Sequence, residues 1–595
     1  MRAVTLLAAW AWVAGCASGP CPSTAATAMS SAVSPQSAAL HALFASEWDV
    51  EMQEWPTRAS SLGDRRFDDR WPDVSPAGFA RRAAHTRELQ ARVHAIDPAP
   101  LSPEDRLSLE LFTREVDVEV EGEPYRLWHI LIDQRDGIQT ADDLGRALRF
   151  ATTADYDAWI SRLRAVPAYV DGAVATLREG AKEHIVQPRV VMERVPAQIA
   201  QQVVSDPEQS PFFHPLRSFP ASFPQADRDR ILQAARAAIT EAVVPAYRRL
   251  GEYFSGEYLP SCLPDVGAWQ LPHGAEAYAY LARMHTTTKM TPEQIHDVGL
   301  HEVARIRGEM LALMARVGFK GTLPDFFAWL RTDPQFFYAD GRSLFAAYEA
   351  MSKRIDPKLV TQFRDLPRTP YGVEPIPDAA APDTTTAYYR EPAADGSRGG
   401  TYFVNLYKPE ARPKWEMMAL TLHESVPGHH LQIALASEHT GLPEFRRHAR
   451  WTAYVEGWGL YAESLGEDMG LYDDPYSKFG QLAYEMWRAV RLVVDTGIHA
   501  MHWDRKRAID YFLDNAPKTE LDVINEIDRY IAWPGQALAY KIGQLEILRL
   551  REHARAELGA RFDVKDFHDV VLRDGAMPLD LLESRVDAWI AGAKG

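Results

Sequence analysis

The stretch that most constrains this chain is Thr421-Leu-His-Glu-Ser-Val-Pro-Gly-His-His-Leu-Gln432. Between His423 and His430 it packs three histidines and a glutamate into eight residues. Apolar runs lead in from Trp415 to Leu422 and out from Leu431 to Ala436. Hydrophobic residues on both sides predict a buried helix that carries polar groups. Buried carboxylate and imidazole are costly unless they are paired or bound to a metal. Histidine with carboxylate is a donor set that zinc favours.

The spacing is not that of two histidines four residues apart on one helix, because position 427 is proline. Residues four apart lie about 40° apart around a helix, so their side chains reach one ion. His429, six on from His423, would face away at about 240°, and His430, seven on, would lie roughly 10 Å further along the axis. Pro427 removes a backbone donor and clashes with the carbonyl of His423, four residues back. Gly428 then permits unusual dihedrals. Pro-Gly therefore predicts a local break that restores ligand geometry.

The run HESVPGHHLQ resembles the signature of a bacterial domain-of-unknown-function family, number eight hundred and eighty-five. That family is similar to the gluzincin zinc peptidases, among them thimet oligopeptidase, angiotensin-converting enzyme and carboxypeptidase Taq. The resemblance covers most of the chain after the first forty residues and is most specific between Gly399 and Gln544. Many gluzincins carry Gly directly before the second histidine ligand. Matching that to Gly428-His429 favours His429 as the ligand, with His430 as the alternative. The third gluzincin ligand is a Glu on the following helix, and Glu456, 33 residues after His423, fits it. Glu463 lies two turns on along the same face and would hold a ligand histidine in its tautomer. The implied cofactor is one zinc ion per chain.

Three protein ligands leave one coordination position for water. Glu424, next to His423, would act as the general base. The segment Asp528-Arg-Tyr-Ile-Ala-Trp-Pro-Gly-Gln-Ala-Leu-Ala-Tyr540 is similar to a Pro-interrupted segment of angiotensin-converting enzyme. The resemblance makes Tyr540 the donor to the reaction's oxyanion. It puts Tyr530 where that enzyme has a substrate-binding His. Gly399-Gly-Thr-Tyr-Phe-Val-Asn-Leu406 alternates as a strand does. In gluzincins such a strand pairs with the extended substrate, so Gly400, Tyr402 and Asn405 are substrate-binding candidates. Arg488 and Arg491 interrupt an otherwise apolar helix from Glu485 to Trp503. They would hold a substrate carboxylate bidentately or form structural ion pairs with Asp495 or Glu485.

The N-terminus reads as an export signal: Met1-Arg2, then an apolar run to Gly15 too short to span a membrane. Val13-Ala-Gly-Cys16 resembles the lipobox of bacterial lipoproteins, which implies an acylated Cys16 and a membrane-anchored, exported protein. Ala17-Ser18 favours the outer membrane, facing the periplasm. Residues 16–37 read as a Ser/Ala/Pro tether. Cys21 and Cys262 remain, and no structural disulfide is expected. The formal charge of −17, from 65 basic and 82 acidic residues, argues against nucleic acid and against electrostatic membrane binding. No G-x-S-x-G elbow, Rossmann or P-loop pattern occurs.

The expected fold is mainly α: a two-lobed, helical gluzincin-like metallopeptidase with a small β-element near the cleft. Residues 1–15 form the signal peptide, 38–360 a helical N-terminal lobe, 361–412 the β-containing substrate edge and 413–595 the catalytic lobe. Thr291-Pro-Glu-Gln294 predicts a helix start. Pro167, Pro188 and Pro245 are expected to kink or end helices. The expected activity is zinc-dependent hydrolysis of short peptides, of carboxypeptidase, dipeptidase or oligopeptidase type. The other reading is a non-catalytic, metal-stabilised peptide-binding lipoprotein.

Overall fold

The Thr291 start signal operates as the sequence predicts. Helix α1 spans Pro292–Arg316, and Thr291 and Gln294 cap each other reciprocally. Ile295, Val303, Ile306, Met310 and Leu313 form its buried face. The chain is described by a computed structural model for residues 34–378, 381, 385–393, 396 and 398–594. The export signal, Cys16, Cys21 and nearly all of the tether lie outside the described residues. Cys262 is buried.

The structure is mainly α, as expected, with one three-stranded sheet. The prolines divide. Pro188 directly precedes the short helix Arg189–Met192, and Pro245 follows a π-helical turn, Ile239–Val243. Pro167 instead lies inside the continuous helix Thr153–Glu183. There Leu163, Val166 and Val170 are almost fully buried, so core packing outweighs the lost backbone bond.

Strands β1 (Tyr371–Pro375), β2 (Ala387–Arg390) and β3 (Gly400–Val404) pair in the order β1-β3-β2. β1 runs parallel to β3 with Tyr371 opposite Gly400, and β2 runs antiparallel with Ala387 opposite Val404. The predicted strand exists, but it is central. Both of its edges are taken by protein, so it offers no ladder to an extended substrate; that expectation for Gly400, Tyr402 and Asn405 is corrected here.

Six further helices position the site: α2 (Lys414–Glu424), α3 (His429–Glu438), α4 (Thr452–Asp468), α5 (Pro475–His499), α6 (Glu520–Ala532) and α7 (Ala539–Leu558). α5 is buried along nearly its whole length from Phe479, as a central helix must be. The molecule has two large cores, and α5 belongs to the first. One joins Tyr156, Trp159, Leu163 and Phe326 to Phe479, Met486, Val490 and Ile527. The other joins Leu40, Phe44 and Phe112 to Leu422, Leu431, Trp458 and Leu550. Each core draws on residues from both sides of residue 360. Among the described residues no helix is long and apolar enough to cross a membrane.

Candidate metal centre

The expected break in the motif is complete. α2 ends at Glu424, a four-residue turn follows, and α3 begins at His429. Ser425 N–H reaches back to Thr421 O (2.9 Å), and Ser425 O accepts from His430 N–H (3.0 Å). The Trp458 indole donates to Pro427 O (2.8 Å) and pins the turn to α4. The Val426–Pro427 peptide is cis. A Cβ at Gly428 would stand 1.9 Å from His423 O, so only glycine fits this close return of the chain. Two helix ends, not one helix, thus bring His423 and His429 together across a six-residue spacing.

Their rings stand 4.7 Å apart, nearly perpendicular. His423, His429 and Glu456 each present a ligand atom, all within 4.8 Å of one another. Glu456 Oε2 lies 3.7 Å from His423 Nε2 and 3.6 Å from His429 Nε2. These are long for hydrogen bonds. They match donor atoms around one ion, since bonds of about 2.0–2.2 Å to a tetrahedral zinc place ligands roughly 3.3–3.6 Å apart. The residues present therefore fit a zinc ion. His423 is buried, while His429 and Glu456 keep 12% and 20% of their side-chain surface exposed, so the cluster opens on one side.

Glu463 stands behind His423, its Oε1 2.9 Å from Nδ1. That contact fixes the ring with Nε2 toward the cluster, the carboxylate–histidine arrangement of metal sites. α4 can approach this closely because position 459 is glycine; a Cβ there would lie 2.8 Å from the His423 ring. Burial opposes charge on His423, yet the carboxylates of Glu456 and Glu463 raise its pKa to about 10. The His423 ring thus stands between two carboxylates, Glu456 on its Nε2 side and Glu463 on its Nδ1 side.

Glu424 is half-buried and makes no hydrogen bond or ion pair with the described residues. His430 turns away from the cluster. Its Nδ1 contacts Tyr389 Oη (2.9 Å), its Nε2 contacts Thr369 O (3.1 Å), and burial lowers its pKa to about 4. It is a core residue under β1 and β2, so the geometry selects His429.

The other candidates separate. Tyr402 is fully buried, its hydroxyl 3.3 Å from Thr421 Oγ1. The Asn405 amide donates to Ala381 O and Thr385 O. A Cβ on Gly400 would strike Tyr389 and His430. These three build the sheet that packs on α2. Tyr530 is also corrected: its hydroxyl accepts from Arg491 Nε (2.8 Å) and Trp487 Nε1 (3.1 Å) and donates to Glu526 (2.8 Å). No bonding capacity is left for a substrate. Tyr540, in the first turn of α7, accepts from Arg529 Nη2 (3.1 Å), which leaves its own proton to donate. Arg488 pairs with Glu463 (3.3 Å) and Arg491 with Glu526 (3.1 Å). Neither pairs with Asp495 or Glu485. Glu485 instead meets Lys541 (2.7 Å) and Arg305. Glu526, Arg529 and Arg135 escaped the sequence reading; the only local sign was Arg529 beside Tyr530.

The fold and cluster define a mainly α-helical protein with a His-His-Glu cluster that could hold a metal ion. The chain belongs to the family described as bacterial protein of unknown function (DUF885), whose model matches residues 56–586. It is similar to the crystal structure titled "putative lipoprotein" from Colwellia psychrerythraea, at 29% identity and a TM-score of 0.89, covering 94% of this chain and 100% of that one. A second structure, titled a "putative lipoprotein of unknown function" from Shewanella oneidensis, matches at 17% identity and a TM-score of 0.67, covering 92% and 98%. No curated protein matches the sequence.

Proposed function

We propose that the protein hydrolyses peptide bonds in short peptides with one zinc ion held by His423, His429 and Glu456. The observation that carries this reading is the convergence of those three ligand atoms, with Glu463 orienting His423 from behind. Zinc bound there would supply a polarised water at its open position. Glu424 adjoins His423 in sequence, and its negative charge acts on that ring. Its unpaired carboxylate is suited to take a proton from an attacking water and return it to the leaving amine. Tyr540, with Arg529 donating to its oxygen, is suited to donate its own proton to a developing oxyanion.

The family resemblance to gluzincins supports the same chemistry. The names of the two structural relatives, together with Val13-Ala-Gly-Cys16, support an exported protein anchored through acylated Cys16 and facing the periplasm. A Cys16→Ser chain would then fail to incorporate labelled palmitate.

Elemental analysis of the tag-free protein beside His423→Ala tests the site. About one zinc per chain, lost in the variant, is expected. No metal in either, after zinc is supplied at neutral pH, refutes the mechanism. Glu424→Gln should keep zinc while turnover falls by about a hundredfold to ten-thousandfold. Unchanged turnover would remove Glu424 as the base.

A further inference from the structure

Around Tyr540 the chain gathers guanidinium groups that its own carboxylates do not fully engage. The Arg491 guanidinium carbon lies 4.2 Å from the Tyr540 ring centre. Arg529 reaches the Tyr540 hydroxyl and also lies over the Trp533 ring at 5.5 Å. Arg135, from the loop before residue 137, lies over the same indole at 5.7 Å. One carboxylate serves this group: Glu526 Oε2 takes the Tyr530 hydroxyl, Arg491 Nη2 at 3.1 Å and Arg529 Nη1 at 3.6 Å. The other nearby acid, Asp133, spends its oxygens on the Trp533 indole (2.6 Å) and on the backbone N–H groups of Arg135 and Asp136.

Donors are therefore left over. Arg491 Nη1 and Arg529 Nε are buried without a hydrogen-bond partner, and Arg491 itself is only 3% exposed. The Arg135 guanidinium makes no hydrogen bond or ion pair with the described residues. It is exposed, and partial desolvation and the charge of Arg529 both lower its pKa. Unpartnered buried donors are uncommon and costly. A planar guanidinium fork matches a carboxylate. The arginine cluster also adjoins the proposed metal centre: Arg488 contacts the Tyr540 ring (5.9 Å) on one side and Glu463, the support of His423, on the other.

We propose that Arg135, Arg491 and Arg529 form a subsite for the C-terminal carboxylate of a short peptide, so that cleavage is counted from the substrate's C-terminus. The identity of the ligand as a peptide rests on the zinc-peptidase reading; the unpartnered donors Arg491 Nη1 and Arg529 Nε do not.

The test uses calorimetric titration of the Glu424→Gln protein with three probes. One is a panel of N-acetylated tripeptides with free C-termini. The second is the same panel as C-terminal amides. The third is amides carrying Asp as the last residue. The acids are expected to bind about 10- to 100-fold tighter than the amides. In Arg135→Ala, whose side chain is exposed, that ratio should collapse toward one while amide binding stays unchanged. Arg529→Lys, which retains charge but loses the fork, should lower the ratio part of the way. Equal binding of acids and amides, a ratio unaffected by Arg135→Ala, or no binding of either form at millimolar concentration overturns the subsite. Asp-amides binding as well as the acids overturns the C-terminal assignment. The acid preference should persist in His423→Ala, so failure to bind zinc would refute the peptidase reading and the cleavage register while leaving the carboxylate subsite standing.

Discussion

His423 shows how much a single ring depends on what stands behind it. Its Nδ1 faces Glu463, which Arg488 in turn neutralises. Glu463→Gln keeps the shape but removes the charge and permits the wrong tautomer. Zinc affinity should fall about 10- to 100-fold, read by competition with a chelator. Unchanged affinity would reduce Glu463 to packing. Asp495, buried in α5, accepts from the Tyr278 hydroxyl (2.6 Å) and Gly535 N–H (3.1 Å), and burial raises its pKa to about 7. An unfolded Asp titrates near 3.9. Between about pH 4 and 7 the unfolded chain releases this proton while the folded one keeps it, so its contribution to stability falls as pH rises through that window. Asp495→Asn should therefore gain stability relative to the parent between pH 5 and pH 8 in urea melts. A difference that does not vary with pH would contradict the shift. At this scale the cluster was legible from the sequence: His423, His429 and Glu456, with Glu424 beside them, follow from residue type and spacing once the family resemblance is set beside them. Arg135 was not, because what marks it is the lack of a partner, and that depends on residues nearly four hundred positions away.

At the scale of elements, the site is a junction of α2, α3 and α4 that glycines allow to close. Pro427 and Gly428 in the sequence point to a break. That the break is a full turn between two helices follows from the Trp458 anchor and the return of Gly428 onto His423 O, which no local pattern encodes. Gly428→Ala would push a methyl group into that carbonyl. It should destabilise the protein by about 1–3 kcal/mol and move His429 off the shared ion. Thermal melts with and without zinc check this, the variant losing most of the zinc-dependent rise in Tm. A full zinc-dependent rise would mean the turn tolerates a side chain. The sheet teaches the reverse lesson. β3 was legible from its alternation, but β1 contains Gly372 and Pro375 and reads poorly as a strand. Without β1 in view, β3 looks like an edge. With it, β3 becomes the buried centre that fixes Tyr402 against Thr421, half a turn before His423.

At the scale of the whole molecule, α5 ties distant parts of the chain together. Phe479, Leu482, Met486, Val490, Val493, Val494 and Ile498 share one core with Tyr156, Trp159, Leu163 and Val170. Burying seven such side chains contributes roughly 10–20 kcal/mol. That matches or exceeds the entire 5–15 kcal/mol by which folded proteins of ordinary stability exceed their unfolded states. The other core likewise sets Leu40, Phe44 and Phe112 against Phe445, Ile547 and Leu550. A helical pattern read along residues 38–360 suggests a unit, because periodicity reports that a face is buried and not what covers it. The cores supply the cover from beyond residue 415. A fragment of residues 38–360 should therefore lack the near-ultraviolet circular dichroism and the cooperative thermal transition of the full chain, and should bind a dye for exposed apolar surface. A fragment that melts cooperatively near the full chain's Tm would show that the first half completes its own core. The proposed metal site draws on residues 423–456 alone, but the proposed carboxylate subsite takes Arg135 from one half and Arg491 and Arg529 from the other. Selectivity at that proposed subsite and cooperative folding across residue 360 should then depend on the same long-range packing, and a substitution that loosens α5, such as Val490→Ala, should lower both the acid-over-amide binding ratio and the Tm.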